Sequence, residues 1–175
     1  MKKYRKILIQ GLPGSGKTTL AKNLQTKLKA GWINADQIRK RYNDWDFSIE
    51  GRIRQAKRLN QLANKMLKSK KYVIVDFVCP TEDSRKLFKS DLIIWMDTIQ
   101  KSRYPNINRI YTNPKKIDIK VSSKNSSVWS LAIIDRINGY KWNDKLPTVQ
   151  MLGRFQPWHL GHKKLFEKAL TFASQ

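Results

Sequence analysis

The sequence has little cysteine, little histidine and little acid. A single cysteine in 175 residues leaves no partner for an internal disulfide and fits a reducing compartment. The two histidines, His159 and His162, share one late motif, so the tail has a logic of its own. No apolar run approaches the ~18 residues of a membrane span. Ile7-Leu8-Ile9, after the basic start, is too short for the core of a signal peptide. There is no internal repeat and no long low-complexity tract. These absences lead to the expectation of a soluble, cytoplasmic chain of one ordinary domain and a little more.

The shortage of acid leaves a large imbalance. Lys and Arg number 36 against 13 Asp and Glu, a net charge of +23. Such a field attracts polyanions and steers anionic ligands. A nucleic-acid partner is one reading and a small anionic substrate the other. The lysines are scattered rather than gathered on one predicted face, which favours the small substrate. Hydrophobic residues make up 40% of the chain, enough for a buried core.

Apolar spacing predicts strands at 6–10, 31–34, 72–78, 92–96 and 117–121. It predicts helices at 18–28, 36–42, along Ile53 to Leu67, at 82–89 and near 128–137. Strands that are short continuous apolar runs and alternate with helices imply an α/β protein with a mostly parallel sheet covered on both faces. The polar stretch 141–148, with Pro147, reads as a linker between a domain at 1–140 and a further strand–loop–helix at 149–175. That last piece is too short to be a domain by itself.

Gly11-Leu12-Pro13-Gly14-Ser15-Gly16-Lys17-Thr18 fits G-x-x-x-x-G-K-[ST], between a predicted strand and a predicted helix. The fold class is therefore a P-loop three-layer α/β/α domain that binds ATP and Mg2+. Gly11, Pro13, Gly14, Ser15, Gly16, Lys17, Thr18 and Thr19 are its candidate nucleotide-binding residues. The glycines let backbone N–H groups turn toward phosphate, Lys17 reaches the β- and γ-phosphates, and Thr18 ligates magnesium. Asp36 and Asp76 fall at ends of predicted strands, where such sheets place their ligands. Asp76 closes a Walker B-like run and is a candidate magnesium partner. Asp36 is a candidate base or metal partner, with a helix cap as its alternative role.

Four blocks together resemble the adenylylsulfate kinase family: Gly11 to Ala21, Asn34 to Arg39, Asp46 to Arg52, and Val73 to Arg85. The resemblance implies transfer of the ATP γ-phosphate to the 3′-hydroxyl of adenosine 5′-phosphosulfate, in sulfate assimilation. It implies that Asp36 lies near magnesium and the acceptor hydroxyl, that Arg39 and Arg52 bind the anion, and that Phe47 stacks on adenine. It places Gln55 and the turn Val78-Cys79-Pro80 beside the substrate. The chain departs from the pattern at Asn34 and Gly51, where the family has Asp, and at Asp76, where it has a small residue. The family's lid block is not recognisable; Arg103, Arg109 and Lys115 are candidates for a basic lid. A homodimer is compatible with this reading.

Gly153, Arg154, Phe155, His159 and His162 belong to a run that resembles the opening of an H-x-G-H nucleotidyltransferase of the nicotinamide-nucleotide adenylyltransferase type. The resemblance implies a second nucleotide motif, expected to be inactive because the rest of that domain does not follow. Two other functions remain open: a P-loop kinase for another small-molecule, nucleotide or polynucleotide hydroxyl, and a non-catalytic nucleotide- or nucleic-acid-binding module.

Overall fold

The computed structural model describes residues 4–139 and 160–169. The chain divides into one compact unit up to Asn138 and a second from Gly139 on. In the first unit β1 (Lys6–Gln10), β2 (Gly31–Asn34), β3 (Val73–Asp76), β4 (Leu92–Met96) and β5 (Ile119–Val121) form one sheet in the order β2-β3-β1-β4-β5. Every pairing is parallel. The most deeply buried strands are β1 and β3, buried at every position, as strands covered on both faces must be.

Alternate residues of β1 feed two separate cores. Ile7 and Ile9 pack with Leu20, Leu24 and Ile133, under α1 (Lys17–Leu28) and α6 (Ser126–Asn138). Leu8 faces the other way, toward Leu59, Ala63 and Phe88, under α3 (Ile49–Met66) and α4 (Glu82–Phe88). This period of two makes the three-layer α/β/α architecture, as expected from the sequence. The short α2 (Ala35–Arg41) follows β2 directly. The chain crosses from β3 over β1 to β4, so the switch in winding lies beside β1, and ligands of such sheets bind at the strand ends there.

Three expectations shift in detail. The strand predicted over 72–78 ends at Asp76. Phe77 adds one more bond to Ile9 O (3.2 Å), and the chain then turns through Cys79 at φ 47°. The strand predicted from Ile117 starts at Ile119, because Asp118 instead bonds Ile93 through both its side chain and its N–H. The basic stretch after β4 contains a helix that the spacing did not predict, α5 (Pro105–Ile110). Pro105 fits its first turn, and Asn108 ties it to Ser102 by side-chain and backbone bonds of 2.8–3.0 Å. None of its residues is buried, so no apolar period could announce it.

In the second unit the described residues form one helix, α7 (Leu160–Ala169). His162 lies in its first turn; Gly153, Arg154, Phe155 and His159, and the strand expected before them, lie outside the described residues.

Candidate active site

The loop between β1 and α1 is wound as the sequence predicts. Gly11 enters it against β4, where a Cβ would come within 2.7 Å of the Met96 carbonyl oxygen. Gly14 and Gly16 stand at φ 86° and 93°, in the left-handed region that glycine adopts without steric cost. The Ser15 N–H donates to Leu12 O at 3.2 Å. Thr98 Oγ1 donates to Ser15 O at 2.7 Å and pins the loop from the β4 side. Gly16 caps α1 without a side chain, leaving the first helical N–H groups for an anion.

Lys17 folds back into this loop, its Nζ donating to Leu12 O at 2.8 Å. Burial pulls its pKa down to about 8, against the opposing pull of Asp76 and then Asp36. Ser15 Oγ is buried without a hydrogen-bond partner. A partly buried cation at an uncapped helix start, beside an unsatisfied hydroxyl, fits a polyphosphate. Next to it a cavity of about 80 Å3 is walled by Gly16, Thr19, Val121, Lys124 and Trp129.

Asp76 ends β3 directly beside Asn34, the last residue of β2 and its register partner. Its carboxylate is buried and held by three side chains. Thr18 Oγ1 donates to Oδ2 at 2.7 Å and Trp32 Nε1 to Oδ1 at 2.7 Å. The Asn34 amide donates to Oδ2 at 3.0 Å and to Oδ1 at 3.3 Å. The Asn34 side-chain oxygen also accepts from the Gln37 N–H at 3.0 Å and is thereby the cap of α2. Asp36 stands exposed in the first helical turn, so the cap role considered for it belongs to Asn34. Among the described residues no three or more His, Cys, Asp or Glu gather at one point. The Thr18 hydroxyl and Asp76 carboxylate are oxygen donors of the kind magnesium takes when phosphate and water supply the rest.

The acceptor-side candidates surround Phe47, whose ring is 52% exposed. Arg39 Cζ lies 4.6 Å and Arg52 Cζ 5.7 Å from its centroid, within range of attraction to the ring face. Arg39 is buried, and its Nη1 donates to the carbonyls of Asp44 and Asp46 at 2.9 Å each; it shapes the loop that presents Phe47. Arg54 and then Arg58 bond Asp44 and hold its carboxyl far below the usual range. Gln55 is buried, donating to Ala35 O at 3.0 Å and accepting from Arg58 at 2.8 Å. The Arg52 side chain, by contrast, makes no hydrogen bond or ion pair among the described residues beyond its ring contact. At Gly51 a Cβ would overlap the Asp46 carboxyl carbon, so the Asp46 side chain fills the space a residue there would need.

The turn Val78-Cys79-Pro80 follows β3. Cys79 is fully buried, and burial raises its thiol pKa far above the ordinary value; it stays protonated and is no nucleophile. The Pro80 carbonyl accepts from the Thr112 N–H at 2.9 Å. Of the lid candidates, Arg103, Arg109 and Lys115 are all exposed, and Arg103 lies 5.0 Å from the Tyr104 ring centroid. Sequence reasoning missed Trp32 and Arg85. Trp32 bonds Asp76 on the neighbouring strand, and Arg85, in α4, bonds Gln10 and Thr112, both distant in sequence; only the β2–β3 pairing, or the place of Arg85 at the end of the fourth block, hinted at them.

Residues 4–100, more than half of the chain, match the model of the adenylylsulphate kinase family. No curated protein sequence matches the chain. The APS kinase CysC of Mycobacterium tuberculosis, solved with AMPPNP and APS, superposes with a TM-score of 0.67 at 20% identity, over 79% of this chain and 100% of that one. A hexameric APS kinase from Thiobacillus denitrificans gives 0.59 at 18% identity, over 79% of this chain and 30% of its own. Shikimate kinase from Aquifex aeolicus gives 0.54 at 21% identity, over 77% and 96%. These likenesses share the fold of the first unit.

Proposed function

Because the chain belongs to the adenylylsulphate kinase family, we propose that it transfers the γ-phosphate of ATP to the 3′-hydroxyl of adenosine 5′-phosphosulfate. The observation that carries this reading is the Thr18–Asp76 hydrogen bond of 2.7 Å beside the Lys17 ammonium. It joins the phosphate loop to the end of β3 at the point where a phosphoryl group would be handed over.

The roles follow from what each side chain has free. Lys17 exchanges the Leu12 carbonyl for phosphate oxygens, and the loop N–H groups hold the remaining charge. Thr18 and Asp76 would hold magnesium, whose chemistry there would be to neutralise charge on the transferring group. Asp36, exposed beside Lys17, accepts the proton of the attacking hydroxyl. Phe47 offers a flat apolar face to the acceptor's adenine, and Arg52 offers an unpaired guanidinium to its phosphosulfate. Arg39 and Gln55 act behind them, holding the loop and α2 in place.

The acceptor assignment is tested by calorimetric titration of adenosine 5′-phosphosulfate into the protein loaded with a non-hydrolysable ATP analogue. Saturable binding is expected, weakened about tenfold or more in Arg52→Ala, because a charge-assisted hydrogen bond contributes ~1.5–3 kcal/mol. Equal affinity for both proteins would remove Arg52 from the acceptor site.

A further inference from the structure

Arg85, in α4, has a role that neither the phosphate loop nor the acceptor residues account for. It is 5% exposed, and its guanidinium bonds four residues, one on its own helix and three elsewhere in the fold. Nε donates to Gln10 Oε1 at 2.7 Å, and Gln10 is the last residue of β1, immediately before the phosphate loop. Nη1 donates to Glu82 Oε2 at 3.2 Å and to Thr112 Oγ1 at 3.4 Å. Nη2 donates to the Thr112 carbonyl, and at 3.5 Å to the Pro80 carbonyl. Thr112 in turn donates to Pro80 O from its N–H at 2.9 Å and from its hydroxyl at 3.3 Å.

These contacts form a closed frame. One corner is the end of β1, which sets where the phosphate loop begins. A second is the turn 78–80 on the acceptor side. The third is Thr112, just beyond α5, whose neighbours Tyr111 and Asn113 line a cavity of about 230 Å3 together with Leu12 of the phosphate loop. Arg85 also lies under Tyr111, its Cζ 5.8 Å from the ring centroid. A planar guanidinium holds several acceptors at fixed angles at once, which an ammonium cannot do.

We infer that Arg85 is a positioning residue for phosphoryl transfer: it fixes the acceptor-side turn and the 111–113 segment at a set distance from the phosphate loop. The inference rests on the kinase reading above. It adds that transfer depends on a buried side chain which touches neither substrate. Lysine at this position reaches Gln10 or Thr112 but not both, so the charge stays while the frame opens.

The test uses the full chain with Arg85→Lys and, as a milder second variant, Thr112→Val, which removes only the threonine hydroxyl on an exposed residue. Nucleotide affinity is expected to stay within about twofold in both, since no Arg85 contact is to the phosphate loop itself. Acceptor-dependent kcat is expected to fall by about 100-fold in Arg85→Lys, the cost of a small misplacement of reacting groups, and less in Thr112→Val. Amide hydrogen exchange gives a readout independent of turnover. In Arg85→Lys the Thr112 amide is expected to exchange faster while the Gly14 to Lys17 amides do not change. Unaltered kcat and unaltered Thr112 exchange would overturn the inference. A parallel loss of nucleotide affinity and kcat would also overturn it, by making Arg85 a general support of the fold. If wild type ignores adenosine 5′-phosphosulfate, the acceptor assignment fails, and the exchange of Thr112 still decides the role of Arg85.

Discussion

In the proposed function nucleotide binding turns on Lys17, whose environment then makes that binding pH-dependent. In the free protein burial lowers its pKa to about 8, with Asp76 and Asp36 pulling the other way. A polyphosphate beside the ammonium favours the charged form and raises the pKa again. Below about pH 7 the group is protonated in both states and binding moves no proton. Above pH 8 the free group is largely neutral, so binding takes up a proton and affinity falls as pH rises, by at most about tenfold per unit. Calorimetry of ATP-analogue binding in buffers of different ionisation enthalpy is expected to show a Lys17-linked proton uptake at pH 8.5 that is absent at pH 6.5, once the proton exchanged by the terminal phosphate itself is subtracted, and that is lost in Lys17→Ala. Asp76 carries the second prediction at this scale. Asp76→Asn keeps the shape but leaves one acceptor oxygen for the Thr18, Trp32 and Asn34 donors. The magnesium concentration for half-maximal activity is expected to rise about tenfold or more while metal-free nucleotide binding is retained. An unchanged magnesium dependence would remove Asp76 from the metal site.

At the scale of elements, the acceptor platform depends on how α3 begins. The Ser48 hydroxyl accepts from the Gly51 N–H at 3.0 Å, and Asp46 Oδ1 accepts from the Ser48 N–H at 2.8 Å. Phe47 is thus held between two local hydrogen-bonded turns. Ser48→Ala is expected to cost ~1 kcal/mol and to lower the Tm by about 3 °C in thermal unfolding; an unchanged Tm would show that the cap does not support the helix. The elements that a local pattern writes were legible in the sequence: β1 and the phosphate loop from the motif, α1 and most of α3 from their apolar period, and β2 with its expected bounds, while the end of β3 came two residues earlier than its apolar run. Helix α5 was not legible, because it buries none of its residues and is set by Pro105 and the Asn108–Ser102 bonds. The departures at Asn34 and Gly51 read in the sequence only as lost carboxylates. The fold shows a carboxylate against each: Asp76 bonded to Asn34, and Asp46 in the space above Gly51. Trp32 and two of the contacts of Arg85 were invisible because their partners, Asp76 for Trp32 and Gln10 and Thr112 for Arg85, are distant in sequence and leave no spacing to read.

For the whole molecule, the parallel order β2-β3-β1-β4-β5 brings the ends of β1, β2 and β3 together, and with them Lys17, Asn34 and Asp76. That convergence is a property of the winding, and the family match over residues 4–100 covers those three strands and the glycine-rich loop after β1. The net charge of +23 suits a reaction whose two substrates are both anions, since a positive field raises their rate of encounter. The most direct measurement is ATP consumption by the full chain with and without adenosine 5′-phosphosulfate, run beside Lys17→Ala. Consumption that requires the phosphosulfate, yields a 3′-phosphorylated product and disappears in Lys17→Ala is the predicted result. ATP binding without any consumption when the phosphosulfate is added would contradict it.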